Sequence, residues 1–299
     1  MFEFPFDETN PITNEAYNLS NYKIIDNPDA INKNTCCLLF SSNGLFWNGK
    51  SNTPENQKNK IIENDYYEWQ NTLIKSQPGR IIYFRDIFLS WYILGINEEV
   101  NSVSKLIELI KDLTIGYTHI FAGGVSSGGY IASIIASELN IDTCFIFSGQ
   151  FSLNHHNNKN PILNYYKNDN DRNYYYENQE LIKNNQINGK NKTKFVYFYP
   201  TLVGHDCISC KYSKEINNIY RFPIKYNKHG VIIDKKSLIK VLSWNDVEII
   251  KYYKKWESKS KKQFKGRFSF CNMLNGPIYT SIIFIKLALD KVKRTVFKH

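Results

Sequence analysis

The sequence predicts an α/β protein built on a mostly parallel, doubly covered sheet in three layers, with an inserted lid and a C-terminal helical extension. Three observations carry this. Short apolar runs at 36–40, 80–84, 120–122, 143–147, 194–199 and 218–224 alternate with helix-period segments, the pattern of parallel strands joined by crossovers. Ile120-Phe121-Ala122 runs into Gly123-Gly124-Val125-Ser126-Ser127-Gly128-Gly129, and Tyr130, Ile131, Ile134, Ile135 and Leu139 then recur at helical spacing. Two later strand segments are each followed by a loop carrying a candidate acid or base, at Thr201–Asp206 and Lys225–Gly230.

Each element follows from local composition. Residues 1–35 are polar, with Pro5, Pro11 and Pro28, and form an N-terminal extension in which only Tyr22–Ile25 reads as a short edge strand. Cys36–Phe40 is the first buried strand, ending in Ser41-Ser42-Asn43-Gly44. A polar loop over Lys50–Lys60 precedes a helix expected at Ile61–Ile74, and Pro78-Gly79 turns the chain into a strand at Arg80–Phe84 that ends at Arg85-Asp86. Ser102–Leu113 is amphipathic, with Val103, Leu106, Ile107, Leu109 and Ile110 on one face and Ser102 or Asn101 placed to cap it.

Beyond the glycine-rich turn, Thr143–Phe147 is a strand ending in Ser148-Gly149-Gln150. Residues 151–192 are rich in Asn, Tyr and Lys and longer than an ordinary connection. We read them as an insertion over the site, against the plainer alternative of a low-complexity loop. Lys194–Tyr199 and Asn218–Ile224 are the last two strands, with a short helix near Ser209–Asn217 and another at Lys235–Leu242. These complete a core over 36–243. Residues 244–299 add a Lys-rich helix, a loop containing Pro277 and a final helix.

Composition narrows the partners. Hydrophobic residues make up 42% of the 299, enough for a sizeable core, and the net charge is +10. The basic residues are densest at Lys251–Lys265 and Lys286–Lys298, a surface for an anionic polymer or the inner face of a membrane, or else a solvated helical face. No nucleic-acid motif accompanies them, so nucleic acid is not expected as a partner. Met1–Asp7 lacks the charged and apolar regions of a signal peptide, and the apolar Ile278–Leu289 is short and broken by Lys286. Six cysteines in a chain this long, including a lone Cys207-Ile-Ser-Cys210 and the adjacent Cys36-Cys37, read as reduced thiols in a cytoplasmic protein.

Strand, sharp glycine-rich turn and helix form the context of a G-x-S-x-G nucleophile elbow, in which Gly124, Ser126 and Gly128 fill the fixed positions and Gly129 follows. The alternative is a glycine-rich helix start with no chemistry. Ser126 is the centre because Ser127 would have Val125 where the turn needs glycine. A serine hydroxyl needs a base in contact and an acid to fix the base's tautomer. In elbow folds the order along the chain is Ser, then acid, then His, on loops after the last strands. Asp206 and His229 occupy those places, and Ser126 Oγ is expected within hydrogen-bond reach of His229. His205 is the rival base. Asp234, better suited to capping the helix after His229, is the rival acid, and Asp206 has its own alternative as an N-cap. The Ser127 backbone N–H is the expected first oxyanion donor, with a second from Asn43 or Gly44, a loop that is otherwise a plain turn. Arg85, after the strand at 80–84, and Gln150, after the strand at 143–147, are candidate substrate-binding residues, Arg85 serving otherwise in a structural ion pair.

Gly124-Val125-Ser126-Ser127-Gly128-Gly129, Asp206 and His229-Gly230 together resemble the α/β-hydrolase superfamily over about residues 36–243. The short elbow and the Lys228-His229-Gly230 ending are similar in style to bacterial capsule and surface-polysaccharide O-acetyltransferases. The chain departs from the superfamily pattern in having no HGGG-type oxyanion sequence and no clear pair of leading strands. The resemblance implies an acyl-enzyme on Ser126, an acyl donor such as acetyl-CoA, no bound cofactor and no metal. The acceptor would be a polar, perhaps anionic, surface glycan. An esterase and a catalytically silent scaffold that binds glycan or a partner remain open at this point.

Overall fold

The computed structural model describes residues 10–46, 58–70, 78–154, 175–258 and 266–276. Seven strands form one sheet: β1 (Tyr22–Asp26), β2 (Asn32–Phe40), β3 (Pro78–Phe84), β4 (His119–Val125), β5 (Thr143–Phe147), β6 (Lys194–Pro200) and β7 (Ile219–Ile224). Their order is β1-β3-β2-β4-β5-β6-β7, with β1 antiparallel to β3 and every other pair parallel. The edge strand expected at 22–25 is β1, and all six core strands are present. β2 starts at Asn32, four residues earlier than the apolar run, because its exposed first turns satisfy their backbone against Pro78 and His119 rather than by burial.

The pleat sends alternate residues of β2 into two separate cores. Cys36, Leu38 and Phe40 face a layer with α2 (Val103–Leu113), α3 (Ser127–Glu138) and α4 (Asn178–Ile187). Cys37 and Leu39 face the opposite layer with α6 (Lys235–Leu242), α7 (Asp246–Ser258) and α8 (Arg267–Asn275). The two remaining α-helices among the described residues are α1 (Pro11–Tyr17), which precedes the sheet, and α5 (Gly204–Tyr212), between β6 and β7. Burial on both faces is why the central strands read as continuous apolar runs. Local signals set several ends: Ser102 Oγ accepts from Lys105 N–H at 3.2 Å to cap α2. Asn245 and Glu248 exchange side chain-to-backbone bonds in a capping box before α7.

Three expectations change, and the cover expected over 151–192 falls mostly on residues outside the described part. Over 61–74 the described residues show one π-helical stretch, Lys58–Glu63, followed by irregular chain that buries Tyr67 and Trp69; residues 71–77 lie outside the described part. The helix expected near Ser209 begins at Gly204, so Asp206 lies in its first turn and is not its cap. Phe151, Leu153, Tyr176, Leu181 and Ile182 are buried against the elbow helix layer, where α4 packs on α3; residues 155–174 lie outside. In the C-terminal extension, Trp244, Ile249, Trp256 and Phe270 belong to the second core, while Pro277, Ile278–Leu289 and Lys286–Lys298 lie outside the described residues. No helix among the described residues is long and apolar enough to cross a membrane. The six cysteines are unpaired, and burial pushes the Cys36 thiol up to about 12.

Candidate active site

The turn from β4 into α3 is dictated by missing side chains. A Cβ on Gly124 would lie 2.3 Å from the Gly128 carbonyl, and one on Gly128 would lie 2.2 Å from the carbonyl oxygen of Phe40. Gly129 packs beside Gly124 and Gly149, where an added Cβ would meet atoms at 3.1–3.2 Å. Close passage of β4, α3 and the end of β2 forces Ser126 to φ 54°, ψ −119°, a conformation that non-glycine residues rarely hold. Its backbone is pinned on both sides, Ser126 N–H donating to Phe147 O at 2.9 Å and Tyr130 N–H to Ser126 O at 3.0 Å. Its side chain, on a half-buried residue, makes no capping bond. The hydroxyl therefore stands at the N-terminus of a 12-residue helix whose first N–H groups lack intrahelical acceptors.

His229 and Asp206 come together. His229 Nδ1 bonds both carboxylate oxygens of Asp206, at 2.9 and 3.1 Å, and Asp206 is fully buried. The His229 loop is tied to the elbow's neighbour: Ser148 Oγ donates to Gly230 O at 2.8 Å and accepts from Gly230 N–H at 3.3 Å. Since Ser148 directly follows β5 and Phe147 pairs with Val125, the histidine loop crosses the same carboxyl edge that carries Ser126. A hydrogen bond between Ser126 Oγ and His229 is not among those formed by the described residues. His205 stands on the outer side of the pair, its Nε2 3.0 Å from His229 Nδ1 and 3.5 Å from Asp206 Oδ2. Together these three are the side chains of the site whose donor atoms converge closely enough to hold a metal ion. Asp234 is the N-cap of α6, accepting from Lys236 and Ser237 N–H.

The other sequence candidates are engaged elsewhere. The Asn43 N–H donates to Ser127 Oγ at 2.8 Å, and Ser127 Oγ donates to Asn43 Oδ1 at 2.8 Å. Gly44 N–H donates to Ser42 Oγ at 3.1 Å. The Asn43 and Gly44 N–H groups, expected as second oxyanion donors, thus donate within the protein, and Ser127 is the first residue of α3. Arg85 is also corrected as a substrate contact. It is 1% exposed, donates from Nε to Asn21 Oδ1 and from Nη1 to Asp65 Oδ1, and lies 4.4 Å over the Tyr67 ring. Burial lowers its pKa, opposed by Tyr67 and Asp65. Gln150 is buried, linked through Oε1 to Trp91 Nε1 at 3.4 Å and through Nε2 to Ser148 O at 3.3 Å.

Three features were missed from sequence. Ser148 holds φ 51° and anchors the histidine loop; its Ser-Gly pair after a strand was the available signal. Glu68 accepts from Ser42 N–H at 2.5 Å and from Ser42 Oγ at 3.1 Å, and burial raises its pKa. Ser127 Oγ, weighed from sequence only as a rival nucleophile, holds the Asn43 loop to the elbow. A cavity of about 580 Å³ lined by Asn32, His119, Asp142, Lys194 and Trp244 opens at the other, amino-terminal edge of the sheet, a strand's length from Ser126.

No family model matches this chain, and no curated protein matches it significantly. Among solved structures it is similar to the capsule O-acetyltransferase of Neisseria meningitidis serogroup A, at 14% identity over 81% of this chain and 91% of that one, with a TM-score of 0.47. A mutant of that enzyme in complex with CoA matches at 12% identity, 82% and 93% coverage and a TM-score of 0.45. Est1E from Butyrivibrio proteoclasticus matches at 11% identity, 77% and 94% coverage and a TM-score of 0.42.

Proposed function

We propose that this protein is a serine acyl-transfer enzyme acting through an acyl-enzyme on Ser126. The observation that carries the reading is the forced backbone of Ser126 at the N-terminus of α3, on the same sheet edge as the His229–Asp206 pair. His229 Nε2 would take the Ser126 proton while Asp206 holds Nδ1–H and stabilises the imidazolium. Ser126 Oγ would attack the acyl carbonyl, with its oxyanion against the Ser127 N–H. Collapse of the tetrahedral intermediate expels the leaving group, which takes the proton from His229. An acceptor hydroxyl, deprotonated in turn by His229, then carries the acyl group away.

The finer reading is O-acetyl transfer from a donor such as acetyl-CoA to a polar bacterial surface glycan. It is supported by the positive net charge and by Lys251, Lys254 and Lys255, exposed on α7. Those lysines also suit a cytoplasmic protein working at the inner membrane face. One observation favours the alternative of a carbohydrate or small-molecule esterase: the described tyrosines expected over the site, Tyr175 and Tyr176, are buried in the core. The test is intact mass after mixing with acetyl-CoA or a chromogenic acetyl ester. A +42 Da shift on Ser126, absent in Ser126→Ala, supports the acyl-enzyme; adding polysaccharide then separates transfer from hydrolysis. An unshifted wild type that also fails to turn over either donor leaves the silent scaffold.

A further inference from the structure

We propose that His205, Asp206 and His229 form a three-ligand site for a first-row divalent cation, Zn²⁺ above all, whose filling switches the base off. The inhibitory half rests on the triad reading; the metal site does not. The three donor atoms, His205 Nε2, His229 Nδ1 and Asp206 Oδ2, are separated by 3.0, 2.9 and 3.5 Å. Ligands at about 2.0–2.1 Å in a tetrahedron stand about 3.3 Å apart along each edge. The three atoms thus already form one face of that tetrahedron to within a few tenths of an ångström. Two imidazoles and one carboxylate match the donor preference of Zn²⁺ and exclude Mg²⁺ or Ca²⁺ as the preferred ion.

Access and preorganisation agree with this. The carboxylate is fully buried and fixed, whereas the His205 and His229 side chains are 47% and 29% exposed, so an ion enters from solvent and keeps water at its fourth position. His205 approaches the base at Nδ1, the nitrogen that already faces Asp206, and not at the Nε2 that would take the Ser126 proton.

The chemical consequence lies in the tautomer. Without metal, Nδ1–H donates to Asp206 and the Nε2 lone pair receives the Ser126 proton. A cation takes the Nδ1 lone pair, the ring proton moves to Nε2, and the base can no longer accept. No bond to substrate is needed, and chelation restores the active tautomer.

The test titrates the full chain with Zn²⁺ alone by calorimetry, and in parallel follows a chromogenic acetyl ester with added Zn²⁺ and then EDTA. Losing even an outer partner of a metal ligand costs about 10–100-fold in affinity. His205→Ala should therefore weaken Zn²⁺ binding at least tenfold, Asp206→Asn likewise, and His119→Ala, at a remote exposed histidine, not at all. In the kinetic arm wild type should be inhibited reversibly, while His205→Ala keeps metal-free turnover and loses sensitivity by a similar factor. Binding undiminished in His205→Ala overturns the site. Diminished binding with equal inhibition of both proteins overturns the switch. If no variant turns over ester, the acyl-transfer reading fails and the binding arm still decides the metal site.

Discussion

β4 and β5 are neighbouring parallel strands, and each runs into a serine held at positive φ, 54° at Ser126 and 51° at Ser148. Both serines are followed by tightly packed glycines: Gly128 and Gly129 after the first, Gly149 after the second. Their hydroxyls differ. Ser148 is fully buried, and its Oγ gives and receives a bond with Gly230. Ser126 is half-buried at the start of a helix with no capping bond. Backbone strain of this kind costs on the order of 1–3 kcal/mol wherever it occurs. It serves structure at one strand end and leaves a hydroxyl uncommitted at the other, so strain alone does not identify a catalytic serine. The helix N-terminus and the uncommitted hydroxyl are what single out Ser126 as the proposed nucleophile.

The largest expected contrast is in turnover. Ser126→Ala and His229→Ala should each lower hydrolysis of an acetyl ester by about 10⁴-fold or more, and the double variant should be scarcely worse, because the groups act as one unit. Ser148→Ala should retain most activity. Near-normal rates in Ser126→Ala with loss in Ser127→Ala would move the nucleophile by one residue and break the comparison.

The glycines come next. Gly128→Ala sets a methyl 2.2 Å from a backbone carbonyl oxygen, and Gly124→Ala one 2.3 Å from backbone. Neither neighbour can retreat, and each variant should lose more than about 4 kcal/mol and fail to accumulate as folded protein. At Gly149 the clash is with the Ile146 Cγ2 methyl at 2.5 Å, a side-chain atom. That variant should fold with a lowered urea midpoint. Equal damage from all three would mean that both turns are equally rigid.

A third strand end tests the same edge through pH. Asp86, after β3, is buried, and burial raises its pKa from 3.8 to about 6 against bonds from Tyr92, Ser90 and Phe88. A carboxyl with a raised folded pKa stabilises fully below about pH 4, and that contribution disappears as pH rises through 6. A shift of two units corresponds to roughly 3 kcal/mol. Urea midpoints of Asp86→Asn should lack this fall between pH 4 and 6; an unchanged slope assigns it to other groups.

Much of this edge was legible in sequence, for reasons visible residue by residue. All six core strands show because burial on both faces makes runs such as Thr143–Phe147 uniformly apolar. The elbow shows because two glycines, Gly124 and Gly128, are sterically required on either side of Ser126, with Gly129 tightly packed beside them. Arg85 misled because a cation at a strand end looks the same whether it meets substrate or, as here, Asn21 and Asp65 from distant segments. The tyrosines at 175 and 176 misled because polar neighbours disguise a helix whose apolar face, Leu181 and Ile182, is narrow. The Ser148-Gly149 pair was visible after its strand, but its anchoring role was not, because its partner, Gly230, lies 82 positions away.

The smallest effect separates the two serines most cleanly, since it should differ in sign. Replacing either with glycine relieves the positive-φ strain, about 1–3 kcal/mol, and returns part of it, about 0.4–1 kcal/mol, as added freedom of the unfolded chain. At Ser126 no hydroxyl bond enters the balance, so Ser126→Gly should stabilise by about 1 kcal/mol while abolishing turnover. At Ser148 the same change removes two bonds and leaves the buried face of Gly230 short of partners, a loss of about 1–3 kcal/mol that offsets or exceeds the relief. Ser148→Gly should therefore be neutral or destabilising, with a modest fall in turnover as the His229 loop loosens. Paired urea melts at one pH read the difference directly. Midpoints that move the same way by the same amount would show that the Ser148 hydroxyl contributes nothing net, and that the histidine loop is held by something else.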